Sequence, residues 1–259
     1  MLSWQNILSY YPDSLQKFER SILREYLQYK ILESIFESKF AHKLSFIGGT
    51  ALRIVHDNTR FSEDLDFDNS GLTENNFEEL MSIIKRSLEL QGLMVEARNT
   101  YKGAYHCYIK FPDLLYKYGL TPQKREKILI RLDTFSQNFE HQADRILLNK
   151  FEVLTEILVT PLDLLLSQKI LAAVDRKQAK GRDFFDIVFL LGKDVKPNVS
   201  YLEQKLGVET RKQAWEKLLQ KTSQLDMKAL AKDVQPFLFT AKDARKVELF
   251  AEVIRQALR

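Results

Sequence analysis

The sequence predicts an α+β fold in which a small mixed β-sheet core with helices is followed by a mainly helical C-terminal region. Three features lead there. A strand, a glycine pair and a helix follow directly on one another over residues 44–56, and stretches at 63–68 and 127–135 alternate every second residue. From Thr160 onward only helical spacing remains.

In chain order, residues 15–40 read as a helix, because Phe18, Ile22, Tyr26, Tyr29, Ile31, Leu32 and Ile35 recur at near-helical spacing with charge between them. Residues 44–47 are a short apolar strand that ends at Gly48 and Gly49, after which 50–56 resume helical character. Residues 63–68 set acids against Leu65 and Phe67, the two-residue period of a half-exposed strand. A helix is expected over 73–90 with Thr73 as its N-cap, then strands at 93–98, 105–111 and 127–135. The texture changes near residue 155. Leu162, Leu165, Leu166, Ile170 and Ala173 form a helical stripe, and later helices are expected at 180–191, 201–206, 209–224, 228–236 and 240–258. Two domains follow: residues 1–155, carrying the sheet and the N-terminal helix, and residues 156–259, a helical domain.

With 259 residues, 45% of them apolar and 29% charged, the chain has the composition of a folded globular protein and not of a disordered or fibrous one. No apolar run approaches the ~18 residues of a membrane span, and residues 1–13 lack the basic start and apolar centre of a secretory signal. A cytoplasmic protein without a membrane partner is expected. Cys107 is the only cysteine, which excludes an internal disulfide and a Cys-rich zinc site. His42, His56, His106 and His141 show no paired helical spacing, so carboxylates are the better candidates for holding a metal.

Asp64 and Asp66 sit two apart on an expected strand, so both carboxylates leave the same face about 6 to 7 Å apart. Leu65 and Phe67 take the other face and anchor the strand. Unpaired, the acids would repel each other; oxygen ligands on a stiff strand suit a hard cation such as Mg²⁺. In residues 128–134, Ile128, Ile130 and Leu132 alternate with Leu129, Arg131 and Asp133, which turns Asp133 to the non-core face of its own strand. Were the two strands neighbours, three carboxylates would converge, enough for two Mg²⁺ about 3.5 to 4 Å apart. An Arg131–Asp133 surface pair is the plainer alternative.

Gly48-Gly49-Thr50 joins strand to helix, where glycines let the backbone approach a ligand and the helix start offers free N–H groups to phosphate. The spacing fits neither the P-loop nor the dinucleotide-binding fingerprint. Asn69 and Asn75 stand where an EF-hand loop would need Gly and Glu, so calcium binding through Asp64, Asp66 and Asp68 is not expected. Residues 98–131 gather Arg98, Lys102, Lys110, Lys117, Lys124, Arg125, Lys127 and Arg131 against only Asp113 and Glu126. Tyr101, Tyr105, Tyr108, Tyr116 and Tyr118 are interleaved with them. Cations for phosphates and flat rings for unpaired bases are what a single-stranded nucleic acid needs.

Phe46-Ile47-Gly48-Gly49-Thr50, then Asp64-Leu65-Asp66-Phe67 after thirteen residues, then Leu132-Asp133-Thr134 resembles the polymerase-β-type nucleotidyltransferase superfamily. Within it, Gly48-Gly49-Thr50-Ala51-Leu52-Arg53 with Arg60-Phe61-Ser62-Glu63-Asp64-Leu65-Asp66-Phe67 is similar to the abortive-infection AbiEii/AbiGii toxin family. Lys169, Arg176 and Gly181-Arg182-Asp183-Phe184-Phe185-Asp186 are similar to that family's helical region. The resemblance covers about residues 40–192. It implies a minimal nucleotidyltransferase core that uses an NTP and Mg²⁺ and acts as the toxin of a toxin–antitoxin or phage-defence pair, some relatives adding nucleotides to the 3′ end of tRNA.

Carried onto this sequence, the resemblance implies Asp64, Asp66 and Asp133 as catalytic metal ligands, with Lys169 and Asp186 as further catalytic residues. It implies nucleotide binding by Gly48, Gly49, Thr50, Arg60, Ser62, Lys169, Arg176 and Arg182. The residues themselves support a role for Lys169: it shares the apolar stripe of Leu165 and Leu166, so its ammonium needs an anion, either a triphosphate or Asp186. Arg182 and Asp186 have the i,i+4 spacing of a helical ion pair. The expected partners are an NTP, an RNA (tRNA) acceptor and a cognate antitoxin protein or its gene product. Two alternatives stand beside this reading: a nucleotide-binding regulatory module without turnover, and nucleotidylation of a protein or a small molecule.

Overall fold

The computed structural model describes residues 1–101 and 103–258, so Lys102 of the basic stretch lies outside the described residues. The chain divides into two compact units, residues 1–51 with 62–159 and residues 52–61 with 160–259.

The first unit is built on a seven-stranded mixed sheet: β1 (Leu44–Ile47), β2 (Leu65–Asn69), β3 (Glu96–Tyr101), β4 (Tyr105–Phe111), β5 (Ile128–Phe135), β6 (Asp144–Lys150) and β7 (Val153–Val159). Their order is β3-β4-β5-β2-β1-β7-β6. β2 runs parallel to β5 and β1 parallel to β7, while the other neighbours are antiparallel. Alternation turns Phe46, Leu65, Phe67, Cys107, Ile109, Ile130 and Leu132 into the core, all of them buried. The helices Glu19–Phe36 and Glu74–Leu90 belong to this core, with Phe36 and Phe46 packed on Phe67 at 6.2 and 5.3 Å between ring centroids.

The helix Glu19–Phe36 is covered nearly all round, and even its polar Glu25, Gln28, Lys30 and Ser34 are buried. Each finds a partner, as buried polar groups must. Glu25 takes Lys150 at 2.9 Å and the Tyr11 hydroxyl at 2.8 Å; Gln28 Nε2 donates to the carbonyls of Ser62 and Glu63, both at 3.0 Å. That last pair matters most here, because it clamps the segment that leads into β2. The expected helix over 15–40 is thus shorter, broken at Phe18 from a single turn, Asp13–Gln16.

Two further departures have physical causes. The strand expected at 93–98 begins at Glu96 instead, since Leu93 and Val95 are buried in the connection that follows Gly92. The β6–β7 hairpin has no counterpart among the expected elements. Leu147 and Leu154 lie on its outer face at 64% and 61% exposure, so apolar residues occur on both faces and the alternation is blurred. Its two-residue turn also lacks a glycine: Phe151 adopts φ +58°, held by rings of Tyr10, Tyr26 and Tyr29 about it and by the Tyr10 hydroxyl on its carbonyl.

The second unit joins residues 52–61 to a run of helices, chiefly Leu162–Asp175, Gly181–Leu191, Val199–Leu206, Arg211–Thr222, Met227–Val234 and Phe250–Ala257. Gly181 is required by close approach: a Cβ there would overlap the Leu230 carbonyl oxygen, while its own N–H donates to Asp233 at 2.9 Å. Phe184 meets Phe250 edge-on at 5.0 Å in the core. Among the described residues no helix is long and apolar enough to cross a membrane.

Candidate active site

In the first unit, the parallel register of β2 and β5 sets Leu65 beside Leu132 and Asp66 beside Asp133. The two leucines are fully buried in the core, so the two acids emerge side by side on the opposite face. Asp64, just before β2, follows the same alternation. Arg131, two residues before Asp133 on β5, donates from one terminal nitrogen to Asp64 Oδ2 at 3.0 Å and places Nε 2.9 Å from Asp133 Oδ2. His106, the register partner of Asp133 on β4, lies with Nδ1 2.8 Å from Asp133 Oδ1. Partial burial opposes the charge of Arg131, but the carboxylates of Asp64, Asp133 and Asp66 outweigh it and hold the guanidinium above its ordinary pKa.

The backbone beside these acids is shaped by one glycine. Gly48, which follows β1 and opens the helix Gly48–His56, has φ +82°, and a Cβ added there would stand 2.5 Å from Asp66 Oδ2. Glycine therefore gives both the left-handed turn and the close approach to the carboxylate. Thr50, wholly buried in the helix Gly48–His56, donates its hydroxyl to the Asp64 carbonyl, which fixes the backbone that carries Asp64. Gly49 is buried in the same turn, and the Ser62 carbonyl is engaged by Gln28. Gly48→Ala should cost about 1 to 2 kcal/mol of stability from the positive φ alone. Asp66 would also have to shift, and urea melts read beside a nucleotide-transfer assay will separate the stability cost from the effect of that displacement.

The acids are hard oxygen donors on adjacent strands, a donor set whose chemistry suits a divalent cation. Among the described residues, however, no three Asp, Glu, His or Cys side chains are gathered in an ion-holding arrangement. The guanidinium of Arg131 lies among the acids.

In the second unit a buried ionic cluster surrounds Asp186. Its carboxylate accepts from Arg60 Nε and from a terminal Arg60 nitrogen, both at 2.7 Å, and from Asn58 Nδ2 at 2.8 Å, and it pairs with Lys169 Nζ at 2.8 Å. Asp186 and Asn58 are wholly buried and Arg60 is 1% exposed. Burial works to raise the Asp186 carboxyl, but the charges of Arg60 and Lys169 outweigh it and bring it down to about 2. Lys169 also pairs with Asp183 at 3.2 Å, and Arg176 with Asp183 at 2.9 Å. The partners of Asp186 thus come from residues 58–60 and from Lys169, not from the i,i+4 neighbour Arg182, which is half-buried in the first turn of the helix Gly181–Leu191.

Sequence spacing did not foresee the Arg60–Asp186 pair, whose members stand 126 residues apart, nor Asn58 and His106 as partners of site acids. The alternation in β5 did place Arg131 and Asp133 together, and that signal was open to the reading that Arg131 reaches across to β2.

The family model described as nucleotidyl transferase AbiEii toxin, of a type IV toxin–antitoxin system, matches residues 30–254. The chain belongs to this family. The AbiEii match takes in both clusters, and the protein is accordingly an NTP-dependent nucleotidyltransferase of a toxin family. Two of the similar solved structures come from Helicobacter pylori. A proposed nucleotidyltransferase from H. pylori matches at TM-score 0.58 and 17% identity over 93% of this chain and 96% of its own. JHP933 from Helicobacter pylori matches at TM-score 0.54 and 16% identity over 93% and 94%. At such identities the likeness establishes the AbiEii chain's fold alone. No curated protein sequence matches it.

Proposed function

We propose that this AbiEii-family protein transfers an NMP from an NTP to an acceptor hydroxyl of RNA, with the 3′ end of tRNA as acceptor, and that Asp64, Asp66 and Asp133 bind Mg²⁺ for the reaction. The observation that carries the reading is the register pairing of Asp66 with Asp133 on one face of the sheet, with Asp64 bridged to Asp133 by Arg131 and the Gly48 turn against Asp66. When bound, Mg²⁺ would supply the positive charge that polarises the triphosphate and favours ionisation of the acceptor oxygen. Gly48 and Gly49 present backbone N–H groups to the phosphates, and Thr50 holds Asp64 in place. Attack on the α-phosphorus forms the new phosphodiester oxygen bond and releases pyrophosphate. In the helical unit, Lys169 neutralises phosphate charge, and Asp186, held by Arg60, orients it. Arg176 and Arg182 are further phosphate ligands in this reading, and a cognate antitoxin restrains the activity.

An RNA acceptor is supported by the same sheet face. Arg98 on β3, Tyr108 on β4 and Arg131 on β5 are cross-strand neighbours, Arg98 and the nearby Lys110 are exposed, and His106 leads from them to Asp133. Lys124 and Arg125 are exposed ahead of β5. Reversing both charges should weaken RNA use roughly tenfold or more and lower its salt dependence, while NTP binding is spared. Equal loss of RNA use and NTP binding would count against an RNA acceptor. The reaction itself is tested by incubating the protein with each α-³²P-labelled NTP, Mg²⁺ and total cell extract. Label removed by RNase supports the proposal, whereas label removed by protease moves the acceptor to protein.

A further inference from the structure

Arg131 stands against the carboxylate oxygens that the proposed function gives to an ion. Asp64 Oδ2 and Asp133 Oδ2, two of the oxygens a divalent cation would need, are the atoms that face the guanidinium, at 3.0 and 2.9 Å. Cross-strand pairing on both sides fixes the backbone of β5, so any exchange has to come from the Arg131 side chain, which is 39% exposed and can leave without opening the core. Three neighbouring carboxylates without a cation would repel one another. A single positive charge from the chain relieves that repulsion. It also competes for the same oxygens.

We propose that Arg131 is the resident counter-cation of the acidic cluster, holding the Asp64 and Asp133 carboxylates in place until a divalent ion displaces it from Asp64 Oδ2 and Asp133 Oδ2. The proposal rests on the reading of these acids as the ion site. It makes Arg131 a positioning residue that sets the threshold for ion binding, in addition to its place on the open sheet face.

The test is a Mn²⁺ titration of the whole protein, followed by electron paramagnetic resonance of the free ion. Arg131→Gln should bind Mn²⁺ roughly tenfold more tightly than wild type, while Arg131→Lys, which keeps the charge, should stay within about threefold. In EDTA the Gln variant should melt below wild type, and Mn²⁺ should raise its melting temperature by more than it raises that of wild type. A residue with a purely structural role would lower both melts alike. In the wild-type protein the ¹⁵Nε signal of Arg131 should shift on saturation with Mg²⁺, a readout that needs no variant. Unchanged or weaker Mn²⁺ binding in the Gln variant, equal tightening in the Lys variant, or a stationary Arg131 signal would each overturn the proposal. Nucleotide transfer by the wild type, assayed in parallel, reports separately on the nucleotidyltransferase reading, which stands if transfer occurs while Arg131 proves inert.

Discussion

Asp186→Asn should lower the unfolding free energy by about 3 to 5 kcal/mol, the scale of breaking a buried ion pair from one side. The cause is less the lost attraction than what remains. Arg60 is 1% exposed and places two nitrogens on this carboxylate, so the neutral amide withdraws the negative charge that directly faces a buried guanidinium. Asn58 and Lys169 sit on different oxygens of Asp186, and the amide keeps only one of them as an acceptor. Trp215, buried in the same unit, offers a fluorescence signal for urea unfolding. Removing both charges with Arg60→Met and Asp186→Leu should recover part of the loss, because apolar pairs of similar volume replace buried ion pairs at little net cost. The dependence on pH has a definite sign. The carboxyl is drawn down to about 2 in the folded protein, so its stabilisation is complete above the ordinary aspartate range and fades as pH falls toward 2. The gap between wild type and variant should accordingly be full at pH 5 and shrink in acid. A loss below about 1 kcal/mol at neutral pH would show that the cluster is not a keystone of this unit.

Asp66→Asn should cut labelled nucleotide transfer at least roughly 100-fold, as expected when a catalytic site loses one electrostatic group, yet leave the melting temperature unchanged or slightly raised. The amide is isosteric and keeps its seat against Gly48, while one negative charge disappears from a face that also carries Asp64 and Asp133. Asp133→Asn differs in a way that checks the argument: it removes the anion facing both Arg131 and His106, so transfer and stability should fall together. Wild-type transfer by the Asp66 variant would remove the acids from the mechanism.

Local spacing made much of this legible. The two-residue alternation set Leu65 and Phe67 against Asp64 and Asp66, and Leu132 against Asp133, and the structure buries the apolar members in each case. Gly48 between strand and helix was equally visible, because a left-handed turn pressed against a carboxylate leaves glycine as its trace. The hairpin of β6 and β7 was hidden by Leu147 and Leu154 on its outer face, and by a turn that Phe151 makes in place of glycine.

The sequence by itself therefore determined the α+β class, the helical second half, and which side of its own strand each candidate acid occupies. These depend on the repeat of a single helix or strand, a matter of a few neighbouring residues. Only the tertiary structure decided that β2 lies parallel to β5 with Asp66 beside Asp133, that Arg131 bridges Asp64 and Asp133, and that Arg60 meets Asp186 across 126 residues of chain. Strand order and register are chosen by the packing of the whole sheet and its helices, and the partner of a buried charge by whichever segment the fold folds back against it, so neither leaves a periodic trace in the residues alongside.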